Sequence, residues 1–326
     1  GAMPRDAIVH LAIERLRGGH IEQRPREVFR LALAKGALAR ARAAQDQLCP
    51  CECNRHRFGG SNRVPLPYSA DAALCTVRSS AGRTRRQDNA RLREWTIHGG
   101  RLAEAQLHYR DAPTPWLDLS TGINPEPWPG ADALTFDWTR LPDDAALHAL
   151  ETTAMRYFAA RGPQVLALPG TEFGLRGLAT LGLPGPFRHI WPGYRTHAEA
   201  LPGSAPISFE AAMERAAQGG TIVLANPSNP DGRLLAPADV MALAWRLARS
   251  GGWLVVDEAF IDAEDGGSIV PLLDGNEPVL VTRSFGKFFG LAGVRLGFGV
   301  GPPAIIARWR ETVGSWPLSA AAIAIG

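Results

Sequence analysis

From about Ile97 onward the chain alternates short β-branched or apolar runs with stretches of helical periodicity, and this alternation leaves few folds open. The runs are Gln164–Pro169, His189–Trp191, Thr221–Ala225, Trp253–Asp257, Val279–Thr282 and Arg295–Val300. Each is nearly continuous in hydrophobicity, as a strand is when both faces of its sheet are covered. Helices are expected at Asp143–Ala160, from Gly170 to about Leu181, at Pro237–Ser250 and at Pro303–Val313, with Gly251 and Gly252 stopping the third. The predicted class is α/β, a three-layer α/β/α domain around a mostly parallel sheet.

The first 93 residues read differently. They hold 17 Arg and one Lys against eight Asp and Glu, so the remainder is acidic overall. One helical stretch, Pro25–Gln47, precedes a Cys-, Arg-, Gly- and Ser-rich region expected to be poorly ordered. An arginine-rich head raises the possibility of a DNA-binding regulator, but no helix-turn-helix is readable there and nucleic acid is not an expected partner. All four cysteines (Cys49, Cys51, Cys53, Cys75) lie in this segment, leaving the rest without any disulfide. Cys49, Cys51 and Cys53 alternate with other residues, unlike the two-residue gap of structural zinc sites, so even with His56 nearby no metal is expected. No apolar run approaches the roughly 18 to 20 residues that span a bilayer, and no signal peptide is visible, which makes a cytoplasmic location the expectation.

Lysine is the residue whose scarcity says most about chemistry. Of 35 basic residues only Lys35 and Lys287 are lysine. A surface charge tolerates exchange to arginine, but a guanidinium cannot act as an amine nucleophile that forms an imine. Lys287 stands in Thr282-Arg-Ser-Phe-Gly-Lys-Phe-Phe-Gly-Leu-Ala-Gly-Val-Arg295, expected as a strand, a glycine-punctuated loop and a second strand. An amine flanked by the Ser284 hydroxyl and the Arg295 guanidinium suits an aldehyde that carries a phosphate.

Upstream, Trp253-Leu-Val-Val-Asp257-Glu ends in an acidic pair at a strand's C-terminal edge, where an open α/β sheet meets its ligand. Asp257 would hold a proton on a pyridine nitrogen, turning the ring into an electron sink. In Asn226-Pro-Ser-Asn229-Pro-Asp-Gly232, ordinary turn chemistry accounts for the composition, while Asn229 could also donate to a phenolic oxygen on the ring. Gly170-Thr171-Glu172 sits between strand and helix, where unpaired N–H groups favour an anion. Tyr194 could stack on the ring, although a structural tyrosine would look the same in sequence.

In this order and spacing the motifs resemble fold-type I pyridoxal-phosphate enzymes of the aspartate-aminotransferase fold, over about residues 97–320. The resemblance is to the branch of histidinol-phosphate aminotransferases and threonine-phosphate decarboxylases. His98-Gly-Gly-Arg, Trp116-Leu-Asp-Leu-Ser-Thr-Gly122-Ile-Asn-Pro125, Arg140-Leu-Pro142, Asp257-Glu-Ala-Phe260 and Trp316-Pro-Leu-Ser319 look like the decarboxylases that serve cobalamin biosynthesis. The resemblance implies pyridoxal 5′-phosphate bound as a Schiff base to Lys287, with Asp257 beneath its ring. Gly170, Thr171, Glu172, Tyr194, Asn229, Ser284 and Arg295 would complete the cofactor site. A small phosphorylated amino acid would be the substrate, met by His98, Gly99, Gly122 and Asn229, in a homodimer with no membrane partner.

It further implies a division into an arginine-rich extension (1–93), an arm with a small-domain segment (94–140), a cofactor-binding large domain (141–302) and the start of an interdomain helix and incomplete small domain (303–326). The chain is expected to be C-terminally short of the family's small domain, which would leave apolar surface uncovered. Leu141 stands where aminotransferases often carry a tyrosine that crosses the dimer interface, and Phe260 where they carry one that donates to the phenolic oxygen. The expected reaction is decarboxylation of O-phospho-L-threonine to (R)-1-amino-2-propanol phosphate, with an aminotransferase such as histidinol-phosphate aminotransferase as the alternative.

Overall fold

The computed structural model describes residues 99–326. The expected helix Pro25–Gln47, the cysteine cluster, Lys35 and His98 lie outside the described residues. Those that are described fall into two compact units divided between Gly122 and Ile123. The boundary read from sequence at 140/141 therefore falls within the larger unit.

The smaller unit's described part contains helix α1 (Leu102–His108) and a turn organised by Ser120. The Gly100 N–H donates to Ser120 Oγ, and both the Ser120 hydroxyl and N–H donate to Asp118 Oδ1. A Cβ on Gly99 would lie 2.0 Å from the Ser120 carbonyl oxygen, so this close approach requires glycine.

The larger unit is built on a seven-stranded sheet of order β1-β7-β6-β5-β4-β2-β3. Its strands are β1 (Gln164–Leu168), β2 (Phe187–Ile190), β3 (Ala205–Ile207), β4 (Thr221–Ala225), β5 (Trp253–Asp257), β6 (Val279–Ser284) and β7 (Gly297–Gly301). Strands β3, β2, β4, β5 and β6 pair in parallel, while β7 lies antiparallel to both β6 and β1. The sheet is thus mostly parallel, with β1 running in the same direction as β6.

Strand side chains alternate between two apolar layers. On one face Val165, Ile222, Leu224, Leu254, Val256, Val279 and Val281 meet α2 (Asp144–Tyr157) and other helices, including α5 (Phe209–Arg215) and α6 (Pro237–Ala248). On the other, Leu166, Leu168, Val223, Val255 and Leu280 meet α3 (Thr171–Gly177) and α8 (Pro303–Val313). Trp309 of α8 is fully buried there. A Cβ on Gly299 of β7 would come within 2.5 Å of its ring, so the glycine makes room for the largest side chain of the layer. Helix starts follow local chemistry: Asp143 caps α2 by accepting from the Ala145 N–H, and Pro237 occupies the first position of α6.

Two local expectations are corrected, and two elements were missed. The segment carrying Lys287 is a one-turn helix, α7 (Phe285–Phe288), rather than a loop. Arg295 does not begin a strand: its φ of 56° is left-handed, and β7 starts two residues later. Strand β3 and helix α5 went unread because a three-residue edge strand containing Pro206 carries no usable period. No helix among the described residues is long and apolar enough to cross a membrane.

Candidate active site

The register of the sheet brings the expected residues to one edge. Leu168 of β1 and Ser284 of β6 both pair with Gly297 of β7, placing Gly170, Ser284 and Arg295 beside one another. One strand further, Asp257 of β5 pairs with Thr282 of β6 and with Ala225 of β4, which leads into the Asn226–Gly232 turn. Strands β7 and β5 are two spacings apart, roughly 10 Å. That span suits a flat ring with an anionic group at one end and a basic nitrogen at the other.

The anionic end is formed by Gly170, Thr171, Ser284 and Arg295. Gly170 has φ 86° and ψ 153°, and its N–H bonds back to the Leu168 carbonyl. The next N–H groups, opening α3, are of the kind that no intrahelical carbonyl satisfies. A Cβ on Gly170 would lie 2.6 Å from Arg295 Nη2, so the missing side chain is the space the guanidinium occupies. Arg295 is exposed, donates to the Ala292 carbonyl at 3.2 Å, and pairs with no carboxylate among the described residues. Ser284 is buried and its hydroxyl caps no N–H of α7. An unpaired guanidinium, a hydroxyl and helix N–H groups make a cradle for a phosphate.

Lys287 sits on α7, half-buried, with Nζ 5.5 Å from the centroid of the Phe260 ring. Its turn is fastened from the main-chain side by Asn124. The Asn124 N–H donates to the Lys287 carbonyl at 2.9 Å and its Nδ2 to the Phe288 carbonyl at 2.9 Å. Asn124 Oδ1 in turn accepts from the Glu126 N–H. Sequence reading quoted the surrounding motif without assigning Asn124 a role.

The acidic pair separates. Asp257 is buried, with Oδ1 accepting from the Thr282 hydroxyl at 2.9 Å and from the Ala259 N–H at 3.2 Å. Its Oδ2 lies 3.0 Å from His197 Nε2. His197 is fully buried and its Nδ1 has no partner; since a carboxylate oxygen accepts, Nε2 is the nitrogen that donates to Asp257. Three donors thus organise a carboxylate that still faces the sheet edge. His197 escaped sequence reading because a lone histidine in a short helix has no pattern to mark it. Glu258 turns away: it accepts from Ser268, from the Ile269 N–H and from Arg283. Complete burial pushes the Glu258 carboxyl above its usual range, against the pull of Arg283. Arg283 also pairs with Asp262 and lies 4.4 Å over the Phe158 ring. Beside this cluster and Ser284 is a cavity of about 260 Å³, lined among others by Trp128, Tyr157, Phe285 and Phe289.

Tyr194 precedes α4 (Arg195–Glu199) and meets the His197 ring edge-on at 5.6 Å, next to the Asp257 end of the site. Glu172 is in the first turn of α3, but its carboxylate is engaged by Arg176, Tyr194 and Thr196 rather than directed at the cradle. Asn229 is half-buried in a turn closed by the Ser228 N–H to Arg233 bond. Fully buried Asn226 anchors that turn through reciprocal bonds with Leu235. Phe260 is buried beside Phe288, and Leu141 is exposed. Gly99 and Gly122 belong to the smaller unit.

Residues 207–325 match the family model for aminotransferase class I and II. The chain is 39% identical to a threonine-phosphate decarboxylase of Sinorhizobium sp. over 234 residues, 70% of each chain. It is also 39% identical over 227 residues to the enzyme of the same name from Pseudomonas aeruginosa, covering 68% of this chain and 67% of that one. Among solved structures it is similar to histidinol-phosphate aminotransferase from Sinorhizobium meliloti in complex with pyridoxal 5′-phosphate. The TM-score is 0.50 at 23% identity, over 61% of this chain and 60% of the other.

Proposed function

Because this chain belongs to the class I and II aminotransferase family, among the threonine-phosphate decarboxylases, we propose that it uses pyridoxal 5′-phosphate to decarboxylate O-phospho-L-threonine to (R)-1-amino-2-propanol phosphate. The observation that carries the reading is the arrangement of Gly170, Ser284, Arg295, Lys287 and Asp257 along one sheet edge, on a chain 39% identical to two such decarboxylases. The residues fit the cofactor: Gly170 leaves room for the Arg295 guanidinium, which with Ser284 and the first N–H groups of α3 would hold its phosphate, and Asp257, two strands from β7, would hold its ring nitrogen. When bound, this group supplies an aldehyde for the substrate amine and a ring that accepts the electron pair released at the α-carbon.

Each residue then has a defined task. Arg295, Ser284 and the first N–H groups of α3 would hold the phosphate. Asp257, whose oxygens accept from Thr282, Ala259 and His197, would hold a proton on the ring nitrogen, and Asn229 would donate to the ring's phenolic oxygen. Lys287 presents its amine to the cofactor aldehyde. Once the substrate amine has displaced it and given up a proton to it, Lys287 Nζ would deliver that proton to the α-carbon as the carboxylate leaves as carbon dioxide. The same reading places the enzyme in the cytoplasm as a homodimer.

The test supplies phosphothreonine and follows carbon dioxide release alongside amino transfer to 2-oxoglutarate. Stoichiometric carbon dioxide with no glutamate is the expected result. Glutamate formation without carbon dioxide would replace this reading with an aminotransferase using the same cofactor residues.

A further inference from the structure

We infer that Glu172 is a positioning residue whose carboxylate fixes the Tyr194 ring as a wall of the cofactor site. The inference rests on the function proposed above only in taking that ring to face the cofactor.

A carboxylate in the first turn of α3 would repel a phosphate unless it were turned aside and neutralised. Both conditions are met. Oε1 accepts from Arg176 Nε at 2.6 Å, and Arg176 continues to Glu199 at 3.0 Å, which in turn pairs with Arg195. Oε2 accepts from the Tyr194 hydroxyl at 3.0 Å and from Thr196 Oγ1 at 2.9 Å, with Thr196 fully buried. Burial opposes ionisation of Glu172, yet hydrogen bonds from Thr196, Arg176 and Tyr194 together hold its carboxyl below the usual range. It is therefore an anion at neutral pH whose charge is directed away from the cradle.

Tyr194 needs such an anchor. It starts a helix of only five residues, caps it with no side-chain bond, and is half-buried. Fastening the ring at its hydroxyl fixes the end farthest from the backbone and holds the ring in its T-shaped contact with His197. The contacts Glu172–Tyr194–His197–Asp257 thus run from the phosphate end of the site to its nitrogen end. Burial raises the Tyr194 phenol above its ordinary value; the carboxylates of Glu172 and Asp257 add to this, and a hydrogen bond from Thr196 opposes it.

The experiment labels tyrosine at ¹³Cζ in the full chain, which has four tyrosines, and assigns Tyr194 with Y194F. The E172Q and E172A proteins are titrated with and without pyridoxal 5′-phosphate, and cofactor affinity is measured in parallel. The Tyr194 phenol should titrate lower in both variants. E172A should bind cofactor about fivefold to thirtyfold more weakly. E172Q, whose amide oxygen can still accept from both hydroxyls, should recover most of that loss, and in the Y194F background E172A should change affinity less than about twofold. An unmoved phenol, or an equal loss of affinity with and without the Tyr194 hydroxyl, would overturn the inference. Were the wild-type chain to bind no cofactor, the phenol titration alone would decide the Glu172–Tyr194 link, and the proposed function would be what fails.

Discussion

Replacing Gly170 with alanine separates a cradle for phosphate from a turn that merely needs glycine. At φ 86° and ψ 153° the position lies where residues with a Cβ hardly ever sit, and holding alanine there costs about 1–3 kcal/mol. For a unit of this size that lowers the melting temperature by about 2–12 °C, at roughly 2–4 °C per kcal/mol. The new Cβ would stand 2.6 Å from Arg295 Nη2, and an ordinary contact of about 3.5 Å requires the guanidinium to move by about 0.9 Å. A displaced charge-assisted hydrogen bond is worth about 1.5–3 kcal/mol, which is roughly tenfold to 150-fold in affinity. The assay compares pyridoxal 5′-phosphate with pyridoxal, which lacks the phosphate, by absorbance titration of wild type and Gly170→Ala. The variant should lose affinity for the first and keep its affinity for the second. A protein that melts lower yet binds both as wild type does would refute the reasoning, leaving Gly170 as a turn residue only.

Three further outcomes follow from the geometry. His197→Phe keeps an aromatic ring but removes the donor 3.0 Å from Asp257 Oδ2, so kcat/KM should fall by about 5-fold to 150-fold, and unchanged turnover would show that Thr282 and Ala259 suffice. Asn124→Ala removes the bonds to the Phe288 carbonyl and from the Glu126 N–H; it should destabilise by about 1–3 kcal/mol, with faster amide hydrogen exchange confined first to residues 285–290, and exchange unchanged there would exclude the proposed fastening. Glu258 has its folded-state pKa raised by burial, so its contribution to stability is complete below the unfolded value and fades as pH rises through the folded one. Glu258→Gln should therefore flatten the decline in melting temperature above the ordinary carboxylate range, and an undiminished slope would count against that assignment.

The parts of the fold that sequence disclosed were those written in repeated side-chain patterns. Trp253–Asp257, Thr221–Ala225 and Pro303–Val313 have the limits read from periodicity, because long apolar stretches bounded by Gly, Pro or a polar cap admit one reading. Lys287, Asp257, Ser284 and Arg295 stood out through residue type and spacing. What sequence withheld depends on partners distant along the chain. His197 acquires its task from Asp257, 60 residues later, and Asn124 from a carbonyl 164 residues away. Glu172 was read for its backbone position, but its side-chain role is set by Tyr194 and Thr196. Arg295 was taken into a strand because the Val-Arg-Leu run is apolar enough for one; its left-handed backbone reflects the tight turn that returns the chain to β7.

The antiparallel β7 also imposes an order on folding. Among the described residues strand β1 lies at the border of the sheet, with β7 as its only strand neighbour, and their registers join Leu168 to Gly297. A chain emerging from the ribosome therefore makes β1 and the Gly170 turn long before the segment that secures them. Closing so long a loop adds little entropy beyond a moderate one, but contacts this distant form slowly and leave a strand edge open to misassembly meanwhile. Arg295 lies just ahead of the strand that completes the pairing. Nascent chains stopped before Arg295 should thus remain sensitive to protease at β1 and gain no protection from the cofactor, since both the phosphate anchor and β7 are still to come.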